Sequence, residues 1–212
     1  MRMHRASFLR GVVARLRAKG VLVILDEVMT GFGRLGAPFA CLEAGVEPDL
    51  ICLSKGLTGG ALPMSLTVAT EAIYQAFLDD EADKAFLHGH SFTANPLGCA
   101  AALASLDLLL DPGCAEARAR IERRHRSELG RLVAASPDAA RLRVQGTIAA
   151  FDVVTPDPGL NARMKRFFLR RGILLRPLGG TLYLLPPFCI TDAQLDQAYA
   201  GIEAGLQGGF AD

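Results

Sequence analysis

The chain has 212 residues, of which 50% are hydrophobic and 21% charged, and a formal net charge of +1. That is the composition of a globular protein with a sizeable core, and it argues against nucleic-acid and membrane partners: there is no large excess of one charge, and no apolar run approaches the roughly 20 residues that span a bilayer. Five cysteines, an odd number without a CxxC pair, predict free thiols in a reducing, cytoplasmic setting.

The N-terminus, MRMHRASFLRGVV, is basic but lacks the sustained apolar region and small-residue cleavage site of an export signal. Ala6 to Lys19 carries Phe8, Leu9, Val12, Val13 and Leu16 on one face, which predicts an amphipathic helix ended by Gly20. Val21–Leu25 and Leu50–Leu53 are short apolar runs bounded by polar residues, and both read as fully buried strands. Between them, Met29–Pro38 is a glycine-rich loop and Phe39–Ala44 a helical turn. Beyond the second strand, Thr58–Pro63 reads as a loop, Met64–Ala69 as a strand and Glu71–Phe77 as a helix. The charge run Asp79–Lys84 reads as a solvated segment.

His88-Gly89-His90 puts two imidazoles at strand spacing, but neither an acid nor a third histidine follows at a ligand distance, so the pair predicts no metal site. Asn95 followed by Pro96 opens a strong helix over 95–110, with Asn as cap and Pro in the first turn. Asp111-Pro112-Gly113 is a break, and the expected domains are 1–112 and 113–212. A second helix over Ala115–Ala135 is crowded with arginines, which read as a solvated face with His125 on the surface. Arg141–Gln145 and Ile148–Val154 follow as strands, and Leu160–Arg171 as a helix stopped by Gly172. Ile173–Leu175 is expected as a strand paired with Thr181–Leu185, and Thr191 as the cap of a terminal helix.

Asp26 and Lys55 stand where the two apolar runs end, and ligands of open α/β sheets bind beyond the carboxyl ends of strands. An acid and a lysine so placed match the needs of pyridoxal phosphate. The lysine holds that cofactor covalently and then moves the proton, and the acid keeps the pyridine nitrogen protonated so that the ring can accept electrons. Taken alone, a strand-terminal Asp reads equally as a turn or a helix cap, and Ser-Lys-Gly as an exposed turn.

DEVMTGFGR followed by LICLSKGLTGG resembles the cofactor core of the class III aminotransferases, which have the fold type I pyridoxal-phosphate architecture. KGLTGGALPMSLTVATEAIYQAF and FLHGHSFTANPLGCAAALASLDLL resemble the branch of that family serving biotin synthesis. The resemblance runs from about Met3 to about Asp196 and implies an α/β chain with part of a large cofactor domain followed by a small C-terminal α/β domain.

By that resemblance Lys55 is the catalytic lysine, and Asp26, Val28, His90 and Ser91 contact the cofactor. Gly89 lines the substrate pocket, and Arg176, within LLRPLGGTLYLLPPF, forks onto the substrate carboxylate, a role suited to a planar bidentate donor. Ser91 stands where the family often has Thr, which keeps the hydroxyl, and is expected to serve the site of the second subunit in a homodimer. The implied amine donor is S-adenosylmethionine and the acceptor 8-amino-7-oxononanoate. Members of the family are about twice as long, so the resemblance also implies that the turn cradling the cofactor phosphate, the residue stacked on its ring and most of one substrate wall are absent. Two alternatives stand beside this reading: another class III ω-amino-acid aminotransferase, and a non-catalytic remnant.

Overall fold

The computed structural model describes residues 1–154 and 157–211. The chain divides into two units, residues 4–111 and the chain from Pro112 onward, to which Met1–Met3 also belong.

In the first unit, α1 (Ala6–Arg17) ends with Arg15 and Arg17 in its last turn, where the helix dipole favours cations. It buries Val13 but leaves Phe8 and Val12 exposed. Two of its arginines hold a later segment by backbone carbonyls: Arg10 Nε donates to Ala44 O at 3.0 Å, and Arg17 donates to Glu47 O. The three-stranded sheet has the order β1 (Ile24–Asp26), β2 (Leu50–Leu53), β3 (Leu66–Ala69). β1 and β2 run parallel with Asp26 opposite Cys52, and β3 lies antiparallel on the far side of β2.

The first strand starts later than its apolar run suggests, at Ile24. Just before it, Val23 N donates to Asp49 Oδ2 at 2.6 Å, and Val23 O accepts from the amides of Asp49 and Leu50. The expectation of full burial for the first two strands also needs correction: Ile24 is 61% exposed, and in β2 only Leu53 is buried. All four residues of β3 are exposed. The helices on either side of β2 and β3, α2 (Ala40–Ala44) and α3 (Glu71–Gln75), are five residues each, too short to cover a sheet. α4 (Pro96–Leu110) is longer; Asn95 Oδ1 caps it by accepting from Gly98 N at 2.8 Å.

The second unit holds the dense core. One helical run covers 112–135: α5 (Pro112–Arg124), a π-helical segment His125–Leu129 and α6 (Gly130–Ala135). β4 (Ala139–Gln145), β5 (Ile148–Val153) and β6 (Thr181–Leu184) form an antiparallel sheet in that order, and every residue of β5 is buried. Phe151 and its registered neighbour Leu182 face the helices, packing with Ile121, Leu129, Phe168 and Ile202. α7 (Leu160–Arg170) and α8 (Asp192–Gly208) complete that layer. Thr191 and Gln194 form a reciprocal capping box at the start of α8.

The arginines of the 112–135 run are not merely solvated. Arg120 pairs with Asp192, Arg124 with Asp196 and Arg131 with Glu203, a constant offset of 72 residues, so the two helices lie side by side and run the same way. Exposed pairs of this kind contribute about 0.2–1 kcal/mol each and set direction more than stability. Ile173–Leu175 does not form the expected strand. β6 pairs with β5 instead, and Ile173 turns into the helical layer, where its Cδ1 lies 2.5 Å from the place of a Cβ on Gly201. Thr181 instead bridges Leu178, a residue of the expected connecting turn.

His125, expected on the surface, is 0% exposed. It sits at the start of the π-helical segment, with its Nδ1 2.9 Å from the Tyr199 hydroxyl and the two rings edge to face. The reason is register: the widened turn swings a residue of a charged-looking stretch onto the side facing α8. Burial lowers the imidazole to about 4 from its ordinary 6.5. The unfolded chain therefore takes up this proton first, and stability falls as pH drops from about 6.5 towards 4, by at most about 1.4 kcal/mol per unit. Asp152, held down by Arg143, loses its contribution only below the ordinary carboxylate range, so the two windows separate. Urea titrations at several pH values are expected to show the upper slope in the native chain and lose it in His125→Gln.

Candidate active site

The parallel register of β1 and β2 brings the ends of both strands to one edge of the sheet, and neighbouring strands lie about 4.8 Å apart. Asp26 closes β1 and is exposed; its Oδ1 accepts from Val28 N at 3.0 Å, which ties Val28 to the carboxylate. Lys55 begins a short 3₁₀ turn (Lys55–Thr58) directly after β2 and Ser54. Its side chain is exposed, and among the described residues its amine has no ion-pair partner. Its φ of +46° lies in the left-handed region, which a residue with a Cβ adopts at a cost of about 1–3 kcal/mol and keeps only when its neighbours enforce it.

Several contacts hold this turn in place. Ser54 Oγ donates to Met64 O at 2.8 Å, Thr58 Oγ1 donates to Leu62 O at 2.5 Å, and Ser105 Oγ, on α4, donates to Gly56 O at 2.9 Å. Phe32 presses on the turn from the other side: a Cβ on Gly56 would stand 2.6 Å from the Phe32 Cβ, so only glycine fits there. Phe32 is itself buried and left-handed, at φ +56°, with its ring edge-on to Phe39 at 5.5 Å.

Glu27 fixes the Phe32 loop, and the sequence had given it no role beyond ending a strand. It is 2% exposed, and its carboxylate accepts from Ala40 N at 2.7 Å, Cys41 N at 2.8 Å and Thr30 Oγ1 at 3.0 Å. It thus caps α2 from outside that helix, while its own carbonyl accepts from Gly31 N at 2.9 Å. Burial and this carboxylate push the Cys41 thiol up. No local pattern reveals such a residue, because its partners lie 13 and 14 positions away.

Gly89, His90 and Ser91 lie on an exposed segment that runs into α4. His90 N donates to Thr93 Oγ1 at 3.0 Å, and His90 Nδ1 accepts from Phe92 N at 3.1 Å, so a neutral His90 carries its proton on Nε2. Among the described residues no hydrogen bond joins this turn to Asp26 or Lys55. Arg176 belongs to the other unit, exposed on the extended stretch between Gly172 and the Leu178 bridge. A second carboxylate in that unit is fully used internally: Asp152 accepts from Arg143 at 2.7 and 2.9 Å, Arg141 Nε at 2.6 Å and Thr181 Oγ1 at 2.6 Å. The donor set around the β1–β2 edge, a carboxylate acceptor beside an amine without an ion-pair partner, fits pyridoxal phosphate, whose ring nitrogen and aldehyde need those two groups.

The Aminotransferase class-III family matches residues 1–206. The adenosylmethionine-8-amino-7-oxononanoate aminotransferase of Synechococcus elongatus is 55% identical over 207 residues, covering 95% of this chain and 48% of the relative. The crystal structure of the protein of the same name from Methanocaldococcus jannaschii superposes with a TM-score of 0.87 at 32% identity, over 95% of this chain and 49% of that one. An omega-aminotransferase from Paracoccus denitrificans superposes with a TM-score of 0.87 at 31% identity, over 96% and 47%. The chain spans about half the length of the curated relatives it matches, and its architecture is part of fold type I. It belongs to the class III aminotransferases, a family that uses pyridoxal 5′-phosphate.

Proposed function

We propose that this chain is the lysine-bearing part of the aminotransferase that converts 8-amino-7-oxononanoate to 7,8-diaminononanoate in biotin synthesis, with S-adenosylmethionine as amine donor. The observation that carries the reading is the pair Asp26 and Lys55 at neighbouring ends of parallel strands, the lysine held left-handed by Phe32, Gly56 and Ser105. The 55% identity to a relative of that name favours these substrates over other ω-amino acids. The reaction is that of soluble metabolites in the cytoplasm, carried out by a homodimer with shared sites.

When bound, pyridoxal phosphate supplies an electron sink for the charge left on a substrate carbon that gives up its proton. Lys55 Nζ would hold the cofactor and would serve as the general base that takes and returns that proton. The Asp26 carboxylate would accept from the pyridine N–H and keep it protonated, and Val28 would contact the ring. Ser91 would donate its hydroxyl and amide hydrogens to the cofactor phosphate in the second subunit's site, His90 would flank that phosphate, and Gly89 would leave room for substrate. Arg176 holds the substrate carboxylate with a bidentate fork.

The direct test joins this chain to the part of the Synechococcus elongatus relative that it does not span and assays 7,8-diaminononanoate formation with S-adenosylmethionine. Turnover with that donor is expected, and turnover only with other amines would move the assignment to another branch of the family. The 212-residue chain by itself is expected to be inactive; activity within about tenfold of the joined protein, ~1.4 kcal/mol in barrier, would show the rest to be dispensable.

Borohydride reduction of the joined protein with cofactor is expected to leave a pyridoxyl group on the peptide containing Ser54-Lys55-Gly56. Gly56→Ala, which drives a methyl into Phe32, is expected to lower both that labelling and stability, the latter by about 1–3 kcal/mol. A label on Lys19, Lys84 or Lys165 would refute the role of Lys55. For Arg176→Ala, steady-state kinetics are expected to show KM for the keto-acid acceptor raised about ten- to a hundredfold, with little change for the donor. That is the value of a charged bidentate contact, roughly 1.5–3 kcal/mol.

A further inference from the structure

Arg176 is exposed, and among the described residues its guanidinium has no ion-pair partner. A long side chain of that kind is aimed first by its backbone, because its own rotamers are many. The backbone around it is held unevenly. Downstream, the turn after Leu178 is tied to the sheet: Val153 N donates to Gly180 O at 2.8 Å, and Thr181 Oγ1 donates to Asp152 Oδ1 at 2.6 Å. Upstream, Ile173 N donates to Phe168 O at 2.9 Å, which joins the stretch to the end of α7. Between these anchors, among the described residues, no backbone-to-backbone hydrogen bond involves residues 174–177. Pro177 removes a donor and confines Arg176 to extended backbone, which narrows its conformations without choosing where it lies.

Asn161 closes that gap. It stands in the first turn of α7, and its side-chain amide donates to Pro177 O at 2.7 Å and to Gly179 O at 3.2 Å. Both amide hydrogens thus go to the two carbonyls that flank Leu178, and only the NH2 edge of the amide can face two carbonyl oxygens. α7 carries Leu160, Met164, Phe167 and Phe168 into the core, so this amide is mounted on an anchored helix and not on another loop. Asn is among the weaker helix formers, and here its side chain serves the neighbouring stretch instead of the helix.

We propose that Asn161 is a positioning residue. By gripping the carbonyls of Pro177 and Gly179 it sets where the chain presents Arg176, and so sharpens recognition of the substrate carboxylate. The proposal rests on the role of Arg176 given above and adds a residue that touches neither substrate nor cofactor. The sequence alone gives no sign of it, because its partners lie 16 and 18 positions away.

The experiment uses the joined protein. Asn161→Ala removes the grip without adding charge. Asn161→Asp keeps the shape but has no hydrogen to donate, and an acid in the first turn suits the helix dipole, so α7 is kept. Both variants are expected to raise KM for the keto-acid acceptor about two- to tenfold, the worth of a neutral hydrogen bond, with kcat and circular dichroism little changed. Amide exchange at Leu178 is expected to quicken by about the same factor, with Phe151 in β5 unchanged. In an Arg176→Ala background neither substitution is expected to raise KM further, since a residue that acts through Arg176 has nothing left to position. An unchanged KM in both variants while Arg176→Ala raises it, unchanged exchange at Leu178, or an equal rise with and without Arg176 would overturn the inference and leave the role of Arg176 standing. Loss of the native circular dichroism in both variants would overturn it too, making Asn161 a residue of the fold alone. Arg176→Ala without effect on KM would overturn both.

Discussion

The pairing of β1 with β2 in parallel is the constraint on which the candidate site depends. Parallel strands cannot be closed by a tight turn, so the chain must travel from Asp26 back to Leu50 through a long connection. That connection carries Phe32 and α2, and Glu27 staples its far end to the strand it left. Phe32 then bears on Gly56, so the fold of the connection is felt one residue from Lys55. A single topological choice brings acid and amine to one edge and also supplies the wedge that sets the lysine's backbone.

The two units bury their apolar residues very differently. In the second, Phe151, Phe168, Leu182 and Ile202 are fully enclosed between sheet and helices, and the ionic seam to α8 only trims the surface. In the first, leucines and valines of β3 and α4 face outward, each forgoing part of the roughly 1.5–3 kcal/mol that full burial would contribute. The unit that carries Asp26 and Lys55 is thus the one with the smaller hydrophobic reserve.

Charged groups divide in a parallel way. Glu27 and Asp152 are buried and spend their oxygens on neighbours in the fold, as a buried carboxylate must. Asp26, Lys55 and Arg176 are exposed at strand ends or on an extended stretch. The groups able to meet a small molecule are those whose hydrogen-bonding capacity the fold has not consumed.

Much of this was legible in the chain itself. Short apolar runs, Asn95-Pro96 and Thr191 located strands and helix starts because strand period and capping are local chemistry. The motifs around Asp26 and Lys55 marked the family for the same reason: they are fixed residue types at short, fixed spacing. What local signals lacked was the identity of partners far along the chain. Ile173–Leu175 has strand composition, but β5 claims β6 and Gly201 leaves room for Ile173 among the helices. His125 sits among arginines, yet the π-helical turn and Tyr199, 74 residues on, draw it inside. Glu27 looked like the end of a strand until α2 brought two amides to it. The sequence by itself determined most of the elements and the family, and it singled out Asp26 and Lys55 as candidates, because these depend on composition and spacing over a few residues. Tertiary structure alone decided which apolar faces are covered and which charges are spent, because burial depends on what packs opposite from elsewhere in the chain.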